Sequence, residues 1–266
     1  MSIRGTVRVT GVAKNTIVKL LADLGEAASE YQNGVLRNLD CRSIECDEIW
    51  SFCYAKQKNV PEQFQGTPGY GDVWTWVALD QDTRLVPTWL VGERTAADAY
   101  VFIADLRDRL RGDRRPQITT DGLQAYKTVI EPLFGAGGVD FATLHKVFGD
   151  RASDGSIERR YDMPDVHATS RQVQVGKPDM ARVSTSYVER QNLSMRMGMR
   201  RFTRLSNGFS KKIENLAFAV SLHFLYYNFA RAHSSLAEGR KKVTPAMAAG
   251  VARAPWSLTQ IAGLLD

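Results

Sequence analysis

The sequence predicts an α/β fold: a mixed sheet flanked by helices, with a small helical segment at the N-terminus. Three observations carry that expectation. Between Arg42 and Val91, short runs rich in apolar, β-branched and aromatic residues lie close together with turn-like connections, the pattern of an antiparallel meander. From Thr95 to Val147 helix-like and strand-like segments alternate, which is how α/β units read. Proline-free stretches from Tyr187 and from Phe209 then supply helices to cover the sheet.

At 266 residues, 44% hydrophobic and 24% charged, the chain can bury one sizeable core plus a small accessory domain. No run approaches the ~20 apolar residues of a membrane span, and no signal-peptide core precedes the first charged segment. A cytoplasmic, nucleoid-associated protein is expected. Cys41, Cys46 and Cys53 are odd in number, do not match paired zinc-ligand spacing, and suit packing in a reducing compartment. The net charge of +6 is unevenly spread: Arg190 to Lys212 holds seven basic residues and no acidic one. So one-sided a block is the mark of a polyanion-binding surface, although a solvated basic face has the same composition.

Residues 1–39 read as a helix-turn-helix DNA-binding segment and connector. Ile3–Val9 forms a short helix, Thr10-Gly11-Val12 a turn, and Ala13–Leu24 a second helix with Ile17, Leu20, Leu21 and Leu24 as its apolar stripe. The second helix of such a motif places its N-terminal residues in the major groove, so Lys14, Asn15 and Lys19 are candidate DNA contacts. Many helical hairpins share the pattern. The motif also starts too near Met1 to hold the first helix of a trihelical bundle, so either that helix is missing from this reading frame or the motif is supported from elsewhere. Ala27–Leu39 is expected to be helix and connector.

Residues 40–235 hold the core. Arg42–Phe52 is a strand with Asp47 and Glu48 in its middle, and an acid pair inside so apolar a strand is expensive unless paired or bound to metal. A Pro/Gly/Gln-rich loop, Asn59–Gly71, leads to the strands Val73–Leu79 and Leu85–Val91. Thr95 suits the N-cap of a helix whose buried stripe is Tyr100, Ile103, Leu106 and Leu110. Pro116–Gly122 is a short strand ending in Asp121, at the strand end where α/β sites form. Asp121 equally suits the N-cap of the helix Leu123–Phe134. Val139–Val147 is a last strand. Gly149–Arg182, polar and rich in Gly, Pro, Asp and Arg, reads as an insertion or mobile loop, so that residues 149–186 separate the sheet from the next helix.

On that helix Glu189, Asn192 or Leu193, Arg196 and Arg200 fall at spacings of three and four, along one face. A carboxylate followed by arginines suits holding a metal and a phosphate, and equally suits a solvated face of ordinary ion pairs. Phe209–His233 is a long apolar helix that packs across the back of the sheet or, alternatively, forms a dimer interface. Residues 236–266 make a C-terminal helical tail, with helices from Thr244 and from Trp256. His145, His223 and His233 read as core or surface residues rather than ligands.

Three strands, helix, strand, helix, strand, loop, helix is the element order of the ribonuclease H-like fold. Asp47 in the first strand, Asp121 ending the fourth and Glu189 on the helix after the core resemble the acids of the DDE transposase and integrase superfamily. The words Cys46-Asp47-Glu48-Ile49-Trp50, Thr119-Thr120-Asp121-Gly122, Val188-Glu189-Arg190-Gln191-Asn192-Leu193, Arg200-Arg201-Phe202-Thr203-Arg204 and Phe209-Ser210-Lys211-Lys212 look like the insertion-sequence-one family of bacterial transposases. The resemblance covers roughly Arg42 to His233.

That resemblance implies a transposase that cleaves DNA at mobile-element ends and transfers the strands into target DNA. It implies that Asp47, Asp121 and Glu189 are catalytic and hold Mg²⁺ or Mn²⁺, Asp47 bridging two ions and the other acids holding one each, with Asn192 in support. Hard oxygen ligands suit these ions, and two of them clamp an in-line displacement at phosphorus. Arg196 stands seven positions after Glu189, where such enzymes often carry a basic residue. Arg190, Arg196, Arg200, Arg201, Arg204, Lys211 and Lys212 would seat the DNA backbone, giving affinity without sequence reading. Double-stranded DNA is the implied partner, and a homo-oligomer the implied active form. The gap between Asp121 and Glu189 is long for the family, which fits the insertion, and no zinc-ribbon cysteines precede the helical pair. Strand alternation points Glu48, the rival ligand, away from Asp47. Two other readings compete: a stand-alone ribonuclease H-like nuclease or resolvase, and a non-catalytic helix-turn-helix regulator with a decayed core.

Overall fold

In a computed structural model that describes residues 2–148, 166–203, 207–237, 239 and 242–266, six strands form one mixed sheet. They are β1 (Ser43–Cys53), β2 (Gly71–Asp80), β3 (Trp89–Gly92), β4 (Gln117–Thr120), β5 (Asp140–Phe148) and β6 (Val166–Val175), in spatial order β3-β2-β1-β4-β5-β6. The β1–β2 and β2–β3 pairs are antiparallel, β1–β4 and β4–β5 parallel, and β5–β6 antiparallel. With helices packed on it, this is a ribonuclease H-like α/β fold, as the element order predicts.

The helices are α1 (Ile3–Thr10), α2 (Lys14–Val35), α3 (Ala96–Arg109), α4 (Gln124–Phe134), α5 (Ser186–Gly198), α6 (Ile213–Leu225), α7 (Pro245–Ala248) and α8 (Leu258–Ala262). The alternation of side chains along β1 divides the core in two. Ile44 and Cys46 join Trp76, Ala78 and Ile118 beneath α3 and α4, in a cluster that also takes in Ala28 and Leu36 of the α2 segment. Ile49 and Cys53 join Val73, Val77 and Leu79 beneath α5 and α6, through Val188, Met195, Leu216, Val220 and Phe224. Each Val, Leu, Ile, Met or Phe among them contributes ~1.5–3 kcal/mol when fully withdrawn from water. At the crossing of α2 and α6, a Cβ on Gly25 would lie 2.4 Å from Phe218 Cβ and 2.7 Å from its Cα, so glycine is what lets the two helices approach.

Thr95 caps α3 as expected, its hydroxyl accepting the Asp98 N–H at 3.1 Å. Cys41, Cys46 and Cys53 are free and buried, and no described helix is long and apolar enough to cross a membrane.

Several details differ from the sequence reading. The regular third strand is only Trp89–Gly92; Leu85 and Thr88 still accept backbone hydrogen bonds from Asp80 and Ala78. Tyr100 is exposed, and Ala99 and Phe102 take its place in the buried stripe of α3. The stretch 149–186 is not loop alone: β6 forms within it, paired to β5, while 149–165 lie outside the described residues. α5 stops at Gly198, so Arg200 belongs to the 3₁₀ turn Arg200–Phe202 and not to the face that carries Glu189. α6 stops at Leu225 and is followed by a π turn, Tyr226–Ala230; it packs across the sheet as expected.

At the N-terminus α1 and α2 are joined through Gly11, whose left-handed conformation (φ 71°) caps α1. α2 runs unbroken to Val35, so most of Ala27–Leu39, expected to be helix and connector, is helix. Leu20, expected in the buried stripe, is 48% exposed.

Candidate active site

The parallel pairing of β1 and β4 runs Ser43 to Gln117, Ile44 to Ile118 and Glu45 to Thr119. Continued by two residues, that register sets Asp121 level with Asp47. Regular β4 stops at Thr120, so beyond Glu45 the flank of β1 is left open where the chain turns toward α4. Into this opening come Asp47, Glu48 and Asp121, each with a carboxylate oxygen within 4.8 Å of the others.

Alternation does point Asp47 and Glu48 to opposite faces, but it does not keep Glu48 away. Its longer side chain reaches round the uncovered strand edge, and the expectation that it stands apart from Asp47 is corrected. Glu48 is buried, with one oxygen 3.1 Å from Arg94 Nε and the other, Oε1, shut from solvent without a hydrogen-bond partner. The Arg94 guanidinium lies 4.7 Å over the Trp74 ring and 3.6 Å from Asp121 Oδ2, a single cation spanning two acids. Asp121 Oδ1 accepts the Leu123 N–H at 2.8 Å. The acid therefore shapes the turn into α4, although the N-cap of that helix is Leu123 and not, as the capping alternative expected, Asp121, and still offers an oxygen to the opening.

α5 closes the other side. Asn192 Nδ2 donates to Asp47 Oδ2 at 2.8 Å. Glu189 Oε1 accepts from Thr185 Oγ1 at 2.6 Å and pairs with Lys146 of β5. It is not a member of the tight cluster, but its charge adds to the potential at Asp47.

The electrostatics follow from burial. Asp47 is pushed up to about 7, first by loss of hydration and then by the Asp121 charge, against the opposing Asn192 hydrogen bond. Glu48 is also pushed up to about 7, chiefly by burial, against the opposing Tyr126 hydroxyl, with Asp121 and Asp47 adding to it and Arg94 opposing. Among the described residues the three carboxylates of the cluster share the one Arg94 counter-charge, fewer cations than acids.

Glu45 was missed by the sequence reading. It lies two residues before Asp47 on the same face of β1, is fully buried, and accepts the Tyr187 and Val188 N–H groups at 2.8 Å each. Those are orphan donors in the first turn of α5, and a carboxylate is well placed to satisfy them. Gln81 Nε2 donates to its other oxygen at 2.8 Å. Glu45 thus fastens to the sheet the helix that carries Glu189 and Asn192. The available signal was a third acid at period-two spacing within an apolar strand.

The candidate DNA contacts divide. Lys14 and Asn15 are exposed at the start of α2, and Lys19 is exposed but paired with Asp23. Arg190, Arg200, Lys211 and Lys212 are exposed. Arg196 is half-buried, with Nη1 3.4 Å from the Phe202 carbonyl. Arg201, expected as a phosphate contact, is half-buried and donates from Nε to Ser210 Oγ at 2.7 Å, so it braces the segment that leads into α6. Arg204 lies outside the described residues.

Residues 70–160 match the family model of the IS240-type transposase DDE domain, described as a DDE domain. No curated protein matches the chain. The matched span runs from β2 past β5 and contains Asp121, while the words that resemble the insertion-sequence-one family also lie outside it, around Asp47 and Glu189. Taken with the ribonuclease H-like strand order, the match over this third of the chain supports a DDE transposase of an insertion-sequence family.

Proposed function

We propose that this transposase cleaves DNA at the ends of a mobile element and joins the released 3′ ends to target DNA, using Asp47, Asp121 and Glu189 as its catalytic acids. The observation that carries the reading is the meeting of Asp47 and Asp121 at the open edge between β1 and β4, with α5 holding Asn192 on Asp47 and Glu189 nearby.

The donor set fits divalent ions: hard carboxylate oxygens, close together, with one buried Glu48 oxygen lacking any hydrogen-bond partner. Asp47, Asp121 and Glu189 would hold Mg²⁺ or Mn²⁺, two ions in the full reading, with Glu48 as a further oxygen donor. Ions bound there supply an acidified water and charge stabilisation at the scissile phosphate. The chain's own residues then have separate tasks. Asn192 fixes the orientation of Asp47, and Leu123 N–H fixes Asp121. Arg94 balances Glu48 and Asp121 while the acids await a ligand. Thr185 and Lys146 keep Glu189 at the rim.

Arg190, Arg196, Arg200, Lys211 and Lys212 would hold the DNA backbone, with a strong salt dependence. Lys14, Asn15 and Lys19 at the start of α2 would read the element end, and an oligomer would bring two ends together.

The test is strand transfer in Mg²⁺ or Mn²⁺ with DNA ends taken from the sequence flanking the gene, comparing wild type with Asp47→Asn, Asp121→Asn and Glu189→Gln. Joined products from wild type alone are expected. Joining that survives Glu189→Gln removes that residue from the site, and nicking without joining points to a nuclease.

A further inference from the structure

On the opposite flank of α5 lies a second charged site. Helical rotation of ~100° per residue sets Tyr187, Arg190 and Ser194 on the side of α5 away from Glu189 and Asn192. There Arg84, Arg190, Arg231 and His233 line a pocket of about 380 Å³ with Tyr187 and Ser235, and no carboxylate is among the described residues that line it.

Arg84 is held for a purpose that its own contacts do not fulfil. Its backbone sits in the left-handed region (φ 61°), a conformation that costs an arginine of order 1 kcal/mol. The guanidinium carbon lies 3.5 Å from the Tyr187 ring centroid, and Nε donates weakly to Ser235 Oγ at 3.4 Å. Nη1 is shut from solvent with no hydrogen-bond partner. A cationic donor buried without an acceptor is one of the more expensive features a fold can retain, and a small turn of the guanidinium onto an anion in the pocket would relieve it. Burial, with Arg84 and Arg231 adding to it, lowers the basicity of His233. The pocket therefore has a surplus of positive charge and of N–H and O–H donors, in the planar guanidinium geometry that suits phosphate oxygens.

We propose that this pocket seats a phosphodiester group of DNA, separate from the carboxylate site and one helix breadth away across α5. Rather than reacting there, the backbone would be anchored, so that the strand crosses α5 toward the acids in a fixed register. The inference rests on the transposase reading for its ligand but not on which acids are catalytic.

The experiment is the binding of a random-sequence DNA duplex, followed by fluorescence anisotropy over a salt series. Wild type is compared with Arg231→Gln, Arg84→Gln and the double variant, with Arg111→Gln, a surface arginine tied to Asp113, as control. Each neutralised phosphate contributes ~0.9 to the slope of log K against log salt. The double variant should bind several-fold more weakly with a slope shallower by about 0.9 or more, and Arg231→Lys should retain most of the wild-type slope. Arg231 is exposed, so its single substitution reads out binding even if the Arg84 variants fold poorly. A slope unchanged in folded variants overturns the proposal. So does a His233 ring signal that shifts with inorganic phosphate while the DNA slope stays fixed, because the pocket would then take free phosphate only. Loss of the slope difference and loss of metal-dependent joining are separate results, so either reading can fail alone.

Discussion

Strand β1 carries its acids in two settings, and the contrast separates architecture from chemistry. Glu45 has a donor on each oxygen: two backbone N–H groups of α5 on one and Gln81 on the other. Three residues on, Glu48 has Arg94 on one oxygen and, on the other, no partner in full hydrogen-bond geometry, only the neighbouring Tyr126 hydroxyl. Both are buried, and both are held above the ordinary carboxylate range mainly by that burial. Only Glu45 has bonds enough to be explained by the fold. An incompletely satisfied acid beside two others is tolerated where a ligand is to complete it.

The largest expected effect breaks the satisfied half. Glu45→Ala leaves three donors unpartnered in the core and releases the start of α5. At the usual cost of about 1–3 kcal/mol for a buried donor left unpaired, three of them should lower stability by about 3–5 kcal/mol, which for a chain of this size lowers Tm by about 10 °C. Calorimetric melting would check this. If Glu45→Ala melted like wild type, Glu45 would not be the fastening of α5.

The same change at the other end should have the opposite sign. Glu48→Gln removes a buried charge that the metal-free fold holds at a disadvantage, so the apo protein should gain about 1 kcal/mol. Affinity for Mn²⁺, read by isothermal titration, should fall about tenfold or more, the range found when groups supporting a metal site are removed. A metal-free protein destabilised by Glu48→Gln would put Glu48 with Glu45, as architecture.

The contrast also has a pH signature. Asp47 and Glu48 both titrate at about 7 in the fold, above the ordinary carboxylate values. For acids with raised folded values, the folded state binds more protons than the unfolded one. Their contribution is therefore fully present below about pH 4 and is lost as pH rises through about 7. The metal-free wild type should lose Tm between pH 5 and pH 8 relative to an Asp47→Asn, Glu48→Gln double variant measured alongside. Saturating Mg²⁺ should reverse the loss at pH 8. Parallel curves for the two proteins would sink the claim that these two acids are unbalanced.

What the sequence disclosed follows the same division. Asp47 and Asp121 could be placed because each marks a strand, and the parallel register of β1 and β4 then brings them together. Glu48 was misplaced because period-two alternation describes the middle of a sheet, whereas regular β4 ends at Thr120 and leaves an edge round which a longer side chain can reach. β6 was not legible because Val166 to Gln174 is exposed or only half-buried, so the strand has no apolar alternation and forms by pairing with β5. Glu45 read as one more charge in an apolar strand. Its partners are the backbone N–H groups of residues 187 and 188, more than a hundred positions on, which carry no side-chain signal.

The smallest expected effect sharpens the comparison without touching an acid. Gly122 follows Asp121, and a Cβ there would lie 2.5 Å from His145 Cε1 and 2.6 Å from Nδ1. The ring has little room to yield, since His145 Nε2 is 3.0 Å from Thr143 Oγ1, which accepts from Gln174 Nε2 at 3.0 Å. Gly122→Ala should therefore move the Asp121 turn by a few tenths of an ångström. A displacement of 1 Å at a reacting centre costs about 100-fold in rate, so a loss of about threefold to tenfold in strand transfer is expected. Tm should change by only a few degrees, because the turn adds little to the core. Adding His145→Ala opens the space the methyl group needs, and the double variant should recover most of the rate lost by the single one. That non-additive recovery is the signature of a direct contact. Losses that simply multiply would show that Gly122 serves the turn through its backbone freedom and that His145 has no part in placing Asp121.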